Sequence, residues 1–438
     1  MADSSSPDRS SPALAPQIQD RTAGPGRLLT LRTSVTDVVS FRGSFVANPD
    51  LAGGDALRQQ LTVSLLDKGT EHRDRFALAR VLEACGAKLD LSSDGLFVEM
   101  SGRALVDDLP RVLEVAAEML RTPAFDPEEF RKARAQVAAD LQRRMEKTSA
   151  QASTALSQRL FPEGHPNFTP APETVLDWLQ GLTVQNVRDY HEAHFGSTEW
   201  TLVVVGDLRH DEVASAVEEA FSGWAPHDAP AVHDAEATPA EVGRTTVPMP
   251  DKSNVDVRLG HAVPLRRDHD DYPAVYVGNY ILGGNFAARL MSTIRDEKGL
   301  TYSVRSSLSG MSTRYVGSWQ TSITLSHESV EEGIAATRAV IRDFVEAGAT
   351  EDELEAKKTT ITGSYTVGLA TTERLAQSIL TNAERGFDVS YLDAFPDEIR
   401  GLRLEDVNTA IQNYLDPGAM QEALAGTRPA PVDAAPEA

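Results

Sequence analysis

The chain alternates between short apolar runs and longer segments whose apolar residues recur at helical spacing. Strand-like runs lie at residues 28–33, 37–46, 88–91, 96–101 and 202–205. Helical patterns lie at residues 55–67, 75–85, 106–120 and 126–145. In the third helical pattern, apolar residues fall on one face of the predicted helix. Strands and helices mixed in this way predict an α+β fold.

The second half of the chain repeats the plan of the first half. Residues 106–130 align without gaps with residues 330–354. Both stretches contain an acidic pair after a valine, an amphipathic helix, a turn and an acidic start to the next helix. Residues 181–190 correspond in the same way to residues 401–410. The repeat predicts two similar α/β-sandwich halves, each a mostly antiparallel sheet with helices packed on it.

Composition suggests where the domains begin and end. Residues 1–26 are rich in Ser, Pro, Asp and Ala, and residues 428–438 are similar, so we predict disordered tails there. The first tail has neither the basic nor the apolar region of a signal peptide. Residues 226–247 have the composition of a linker. We therefore predict an N-terminal domain at residues 27–225 and a C-terminal domain at residues 248–427.

Charge and cysteine content narrow the range of partners and locations. The net charge of −23 argues against nucleic acid and anionic membranes as partners. Only eight of the 42 basic residues are lysines, which either a high-salt host or a GC-rich genome would explain. No apolar run is long enough to predict a membrane span. Cys85 is the only cysteine, so an intrachain disulfide is excluded, and we expect a reducing, cytoplasmic location.

Residues 282–304 hold the most informative local pattern, a Gly-Gly loop followed by a helix, a glycine stop and a strand. Asn285 is a suitable helix N-cap. Arg295 lies in the last helical turn and Tyr302 near the start of the strand, so a tight turn would bring their side chains together. Two such donors suit a peptide carbonyl, or the oxyanion that forms when water attacks it. From these residues alone, a surface arginine and a half-buried tyrosine remain the simpler interpretation.

The segments Leu-Gly-Gly-Asn-Phe-Ala-Ala-Arg-Leu and Ile-Arg-Asp-Glu-Lys-Gly-Leu-Thr-Tyr-Ser-Val carry a family resemblance. They resemble the second-half signature of the pitrilysin/insulinase-type zinc metallopeptidases, in the branch of the mitochondrial processing peptidase. The resemblance covers residues 27–425 and implies a clam-like pair of units that encloses a chamber. In that family, the Arg and Tyr of this motif hold the substrate backbone beside the zinc, and Arg295 and Tyr302 match them in type, order and spacing.

The zinc site that this resemblance implies is missing. The family carries His-x-x-Glu-His on a helix before a Lys-Gly-Thr-type turn, and a distant Glu completes the site. With residues 68–70 setting the register, the equivalent residues in this chain are Gln60, Val63, Ser64 and, for the distant Glu, Asp140. A Gln, a Ser and one carboxylate do not form a zinc site, and Val63 cannot act as a base. We therefore expect no cofactor in this chain and zinc in a partner subunit.

Two further segments bear on this interpretation. The nearest histidine cluster, at residues 191–194, has the spacing of neither zinc motif, and we interpret it as a solvated helix end. Asp90 and Leu91 stand where the family usually has Asn-Ala, close to its substrate-pairing strand.

These features lead to a first functional hypothesis, a non-catalytic subunit of a heterodimeric zinc metalloendopeptidase. A homologous zinc-binding peptidase subunit would be its partner and a peptide or unfolded protein its substrate. Arg295 and Tyr302 would be its catalytic and substrate-binding residues. The alternative is an inactive pseudo-peptidase that acts as a structural or peptide-binding scaffold. A self-sufficient peptidase would require a metal held by Gln60, Ser64 and Asp140, which are poor zinc ligands.

Overall fold

A computed structural model of the protein describes residues 13–48, 54–227, 237 and 241–427. The N-terminal half contributes the following strands: β1 (Ile18–Ala23), β2 (Gly26–Arg32), β3 (Val38–Val46), β4 (Lys88–Ser93), β5 (Phe97–Leu105) and β6 (Thr201–Gly206). Its helices are α1 (Asp55–Val63), α2 (Arg75–Ala84), α3 (Leu109–Arg121), α4 (Pro127–Met145), α5 (Thr148–Leu160), α6 (Pro172–Gly181), α7 (Val184–His194) and α8 (His210–Ala220).

The C-terminal half has a matching set of elements. Its strands are β7 (Arg244–Pro248), β8 (Asn254–Val263), β9 (Thr301–Ser309), β10 (Gly317–Ser326) and β11 (Gln421–Gly426). Its helices are α9 (Tyr272–Gly283), α10 (Val330–Ala347), α11 (Glu351–Gly368), α12 (Thr372–Glu384), α13 (Tyr391–Gly401) and α14 (Leu404–Tyr414), and a π-helix, Met291–Glu297, precedes β9.

Five strands follow the same order in both sheets, which confirms the predicted α+β fold with two similar halves, and β1 is an additional edge strand of the N-terminal sheet. The N-terminal sheet has the order β1-β2-β6-β3-β5-β4 and the C-terminal sheet the order β7-β11-β8-β10-β9. We call β6 and β11 the central strands of their sheets. Each pairs in parallel with one neighbour and antiparallel with the other. Helices α3 and α4 correspond to α10 and α11, as the sequence repeat predicted. Among the described residues, no helix is both long and apolar enough to cross a bilayer.

Alternation along the strands gives each sheet two apolar faces. On β6, Leu202 and Val204 pack with α3 and α8 in one apolar cluster, while Val203 and Val205 belong to another. Because side chains on a strand alternate between faces, a continuous apolar run such as β6 predicts burial on both sides. Each sheet therefore needs helices on both of its faces.

The second face of each sheet is covered by a helix from the other half. Helix α12, from the C-terminal half, buries Leu375, Ile379 and Leu380 in the cluster that includes β2 and β6. Helix α5, from the N-terminal half, packs on β11 through Ala152 and Leu156. The halves thus exchange helices, and neither sheet is complete without the other half.

Equivalent hydrogen bonds anchor the first residue of each exchanged helix. The Thr148 hydroxyl, at the start of α5, donates to Asp256 Oδ2 on β8 at 2.6 Å. The Thr372 hydroxyl, at the start of α12, lies 2.8 Å from the Ser40 hydroxyl on β3. Ser40 and Asp256 are equivalent because each pairs with the fifth residue of its central strand. The repeat is therefore preserved in the contacts that join the halves.

Two predicted boundaries were wrong. Residues 1–12 lie outside the described residues, but within the predicted tail β1 pairs with β2 in antiparallel register. The sequence pattern missed β1 because only Ile18 and Ala23 of the strand are buried and backbone pairing holds the rest. The predicted linker overlaps β7, which pairs with β11. Residues 228–236 and 238–240 of this linker fall outside the described residues. The predicted tail at 428–438 also lies outside them.

Removing part of the exchanged interface should destabilise both halves. We expect Leu380→Ala to lower the free energy of unfolding by about 2–5 kcal/mol, because a fully buried leucine would leave a cavity. Hydrogen exchange should rise in both central strands, β6 and β11, because α12 joins the two halves. The control is Arg374→Ala, an exposed residue on the same helix that should change stability by no more than about 0.5 kcal/mol. Faster exchange confined to one half would contradict this coupling.

Candidate functional site

The structure brings the side chains of Arg295 and Tyr302 together. The Arg295 guanidinium carbon lies 5.4 Å from the centroid of the Tyr302 ring and 5.7 Å from that of Phe286. Tyr302 is 86% exposed and Phe286 is 67% exposed. An arginine held between two aromatic rings is a favourable cation–π arrangement. Tyr302 is therefore open to solvent, whereas the Arg295 side chain is 34% exposed and its Nε lies 3.9 Å from Asp296 Oδ1.

A π-helix carries Arg295, where the sequence predicted an α-helix. The Lys298 amide donates to Thr293 O at 3.1 Å, five residues back, and the Leu300 amide donates to Ile294 O at 3.0 Å. Met291 and Ile294 remain buried in the C-terminal core, as the apolar spacing predicted. Wide turns of this kind are rare and occur often at functional sites.

The loop before the π-helix is tied to α11. Lys357, which is buried, donates from Nζ to Asn285 Oδ1 at 3.1 Å and to Ala287 O at 2.9 Å. Asn285 also accepts from the Ala287 amide at 3.0 Å within a turn, so it is not the helix N-cap that the sequence predicted, because the π-helix begins only after Leu290. These contacts fix the backbone on both sides of Phe286 and hold its ring beside Arg295.

A second anchor joins the start of the π-helix to the corner between α10 and α11. Arg289 donates to both carboxylate oxygens of Glu353 at 2.6 Å and to Gly348 O at 2.9 Å. Glu353 also closes a capping box with Thr350 at the start of α11. Hydrogen bonds from Arg289 lower the pKa of the Glu353 carboxyl to about 2. This paired carboxylate helps to position the segment that carries Arg295.

Sequence reasoning did not select Phe286 as a site residue. It lies within the quoted family segment, but only the fold places its ring against Arg295. The available signal was a large aromatic side chain in a Gly-Gly-Asn loop, where burial is not expected. An exposed phenylalanine beside an exposed tyrosine forms an apolar border around the guanidinium.

The positions of the missing zinc ligands lie on α1 and just after it. Val63, at the position of the family's catalytic glutamate, is only 7% exposed and belongs to the N-terminal core. Ser64 donates its hydroxyl to Leu61 O at 2.7 Å, so its side chain bonds to its own helix. Gln60 is exposed. At the catalytic position the side chain is therefore used in packing.

Asp140, at the position of the distant glutamate, lies on α4 and is engaged within that helix. It pairs with Arg143 and accepts from Gln136 Nε2 at 3.1 Å. Within the described ranges, no group of three or more His, Cys, Asp or Glu side chains is placed to hold a metal ion. The residues at these positions do not fit zinc, because they offer no histidine and no pair of carboxylates.

The sequence pattern predicted that the histidine cluster at 191–194 is a solvated helix end. In the structure it is partly packed against the rest of the N-terminal half. His191 Nε2 lies 2.8 Å from Leu120 O, and its ring packs against Phe125 and Phe195. Burial lowers the pKa of His191. This residue therefore joins α7 to the end of α3.

Asp90 lies on β4, the edge strand of the N-terminal sheet, and pairs with Lys88 at 2.9 Å.

The Arg289–Glu353 pair predicts a specific acid sensitivity. A carboxyl whose pKa is lower in the folded state stabilises the fold above its unfolded pKa and loses that contribution on acidification. The contribution of Glu353 should therefore disappear as the pH falls from its ordinary pKa of 4.5 to about 2. We expect Glu353→Gln to make stability depend less on pH in this window, as measured by urea unfolding. Glu351→Gln, an exposed change in the same helical turn, is the control and should leave the dependence unchanged.

Comparison with known proteins agrees with this architecture. A family model described as "Insulinase (Peptidase family M16)" matches residues 39–167, and one described as "Peptidase M16 inactive domain" matches residues 181–361. The chain is 22% identical over 364 residues to the non-peptidase homolog YmxG of Helicobacter pylori, which covers 82% of this chain and 81% of that protein. It is 24% identical over 376 residues to an uncharacterized zinc protease of Streptomyces coelicolor, which covers 82% of this chain and 79% of that protein.

A solved structure shows the same fold. The crystal structure of a peptidase M16 inactive domain from Pseudomonas fluorescens matches with a TM-score of 0.84 at 24% identity. The match covers 94% of this chain and 99% of that chain. The two family models together match most of this sequence and come from one peptidase family, whose inverted zinc motif is replaced here by Gln60, Val63 and Ser64. The chain belongs to the peptidase M16 family.

Proposed function

We propose that this chain is the non-catalytic subunit of a heterodimeric zinc metalloendopeptidase. A homologous subunit with an intact His-x-x-Glu-His motif supplies the zinc site, and this chain supplies Arg295 and Tyr302. One observation carries the proposal. The zinc positions hold a packed valine and locally bonded side chains, whereas the guanidinium and the phenol meet on an exposed surface.

The exposure of the cluster supports action on a substrate bound by another subunit. A tyrosine that stabilised only its own fold would bury its ring, but Tyr302 is 86% exposed at the start of β9. Two anchors, Lys357 and the Arg289–Glu353 pair, hold the loop and the start of the π-helix although the cluster is exposed. Preorganised donors of this kind lose little freedom when a substrate arrives.

The chemistry follows from the donors and the sheet edge. β9 is the last strand in the order of the C-terminal sheet, so its outer edge is available to pair with an extended peptide. The Arg295 guanidinium and the Tyr302 hydroxyl then donate to the carbonyl oxygen of that peptide. Both donors are positioned to stabilise the negative charge that develops on this oxygen when water attacks.

A second candidate is an inactive scaffold that binds peptides or partner proteins. The burial of Val63 and the similarity to a protein named a non-peptidase homolog favour it. In that case Arg295 and Tyr302 would take part in an interface and no partner would confer peptidase activity. Purification of the chain from its native host, followed by identification of bound proteins and a peptide-cleavage assay, separates the candidates. Co-purification of a subunit with the intact zinc motif supports the heterodimer.

The Arg–Tyr pair is tested in the reconstituted heterodimer. We expect Arg295→Ala and Tyr302→Phe each to lower kcat/KM by about 10²-fold, because each removes one donor to the oxyanion. Arg305→Ala is the matched control, since Arg305 is an exposed arginine on the same strand, beyond the irregular pairing of β9 with β10 that follows Thr301. It should leave kcat/KM unchanged. Full activity of both site variants would remove the catalytic role of the pair.

A third substitution tests the aromatic border. We expect Phe286→Ala to raise KM more than it lowers kcat, because its ring orients the guanidinium and donates no proton. Steady-state kinetics of the reconstituted heterodimer measure both constants. A fall in kcat alone, with KM unchanged, would contradict a positioning role for Phe286.

A further inference from the structure

A pocket lies where the two halves of the chain meet, away from Arg295 and Tyr302. Its volume is about 420 Å³, within the usual range of small-molecule sites. Residues 94–97 of the N-terminal half, the 164–170 loop, residues 311–315 between β9 and β10, and the end of α12 line it. We call it the junction pocket. Both halves build its wall, so it exists only in the assembled chain.

One wall of the junction pocket presents buried acceptors that lack partners. Asn48 is 1% exposed and donates from Nδ2 to Gly95 O at 2.8 Å, which fixes the orientation of its amide. Its Oδ1 has no hydrogen-bond partner among the described residues, and neither does Oε1 of Glu384. Burying an acceptor without a donor is costly, so two in one pocket indicate a ligand that donates.

Burial also affects the charge of the Glu384 carboxyl. Burial raises the pKa of Glu384 to about 7, and the carboxylates of Glu99 and Asp94 add to the rise. The nearby Ser44 hydroxyl and Arg385 oppose it only in part. Ser44 Oγ and Glu384 Oε1 both remain without a well-formed hydrogen bond. A cation beside this carboxyl would favour its charged form.

The adjacent residue supplies the opposite charge. Arg385 follows α12 directly and lines the same pocket. Burial lowers the pKa of its guanidinium, and the positive charge of the neighbouring Arg267 lowers this pKa further. No carboxylate of the described residues pairs with it within 4.0 Å, although Arg289 and Arg338 elsewhere in this half have such pairs. Arg385 is half-buried, so a guanidinium without a carboxylate partner in this pocket can pair with an anionic group of a ligand.

We propose that the junction pocket binds a free α-amino acid with a large apolar side chain. Its carboxylate lies on the Arg385 guanidinium, and its ammonium lies between Asn48 Oδ1 and the Glu384 carboxyl. Glu384 and Arg385 both line this one pocket, and an α-amino acid carries its two charged groups on a single carbon. Phe97, Phe168 and Met311 line the same pocket and accommodate the side chain. This site is independent of the proposed peptidase partnership.

Calorimetry with L-phenylalanine and the full-length wild-type chain tests the proposal. We expect saturable binding at one site per chain. N-acetyl-L-phenylalanine lacks the ammonium and L-phenylalaninamide lacks the carboxylate, so each should bind at least about tenfold more weakly, as expected for a lost charged hydrogen bond. Glycine should also bind more weakly, because it leaves the apolar wall without contacts.

Two variants assign the charged ends of the ligand. Arg385→Gln should weaken the binding of L-phenylalanine by about 10- to 100-fold and barely affect the amide, which has no carboxylate to lose. Glu384→Gln should weaken L-phenylalanine and barely affect the N-acetyl derivative. Arg374→Gln, an exposed arginine on the same helix, is the control and should bind like the wild type. Circular dichroism verifies that each variant is folded.

Several results would overturn the proposal. Absence of saturable heat with L-phenylalanine at millimolar concentration would mean that water satisfies the orphaned acceptors. Equal affinity for the acid, the amide and the acetylated form would exclude recognition of both charges. These comparisons use the wild-type chain, so they decide the matter even if a variant fails to fold. None of them requires a partner subunit or peptidase activity, so they are separate from the test of the proposed function.

Discussion

The reciprocal exchange of α5 and α12 is the constraint on which the rest of the structure depends. Each sheet is apolar on both faces, and each obtains one of its covering helices from the other half. The Thr148–Asp256 and Thr372–Ser40 bonds place the two helix starts at equivalent strand positions. A hinge between the halves would have to withdraw both helices and expose their apolar faces to water. The two halves are therefore held together by the packing of both helices.

The connection between the halves bears on how the cluster around Arg295 could act on a peptide. The cluster lies at one end of the C-terminal sheet, next to an edge strand, and is exposed in the isolated chain. If this chain acts on a peptide, the other side of the chamber has to come from another molecule, because its own halves are held together. The packed Val63 agrees with that division of roles, because a core valine leaves no room for a catalytic carboxylate and its water.

The partly buried arginines of the C-terminal half differ in whether they have a carboxylate partner. Arg289 forms a bidentate ion pair with Glu353, and Arg338 forms an ion pair with Glu422. Both guanidinium groups therefore have a carboxylate partner within the fold. Arg385 is half-buried, has no such pair among the described residues, and lines the same pocket as the unpaired oxygens of Asn48 and Glu384. The contrast with Arg289 and Arg338 is the reason to assign Arg385 to a ligand.

The sequence by itself determined the α+β fold, the internal repeat and the absence of the zinc ligands. These features depend on local periodicity and residue identity, so a turn such as residues 68–70 was enough to set the register of Gln60, Val63 and Ser64. The proximity of Arg295 and Tyr302 was also predictable, because a short connection joins the π-helix to β9. The exact helix type was not, since the same apolar spacing of Met291 and Ile294 fits an α-helix or a π-helix.

Only the tertiary structure decided which surfaces meet. An apolar face in the sequence predicts that a helix is buried, but not which element it packs against. The sequence of α12 therefore did not indicate that it covers the N-terminal sheet. β1 was missed because its stability comes from backbone pairing with β2, which leaves little apolar pattern in the sequence. The contact between Phe286 and Arg295 and the junction pocket join residues that are distant or unpatterned in sequence. Tertiary packing created both: the Phe286–Arg295 contact forms within the C-terminal half, and the junction pocket forms only where the two halves meet.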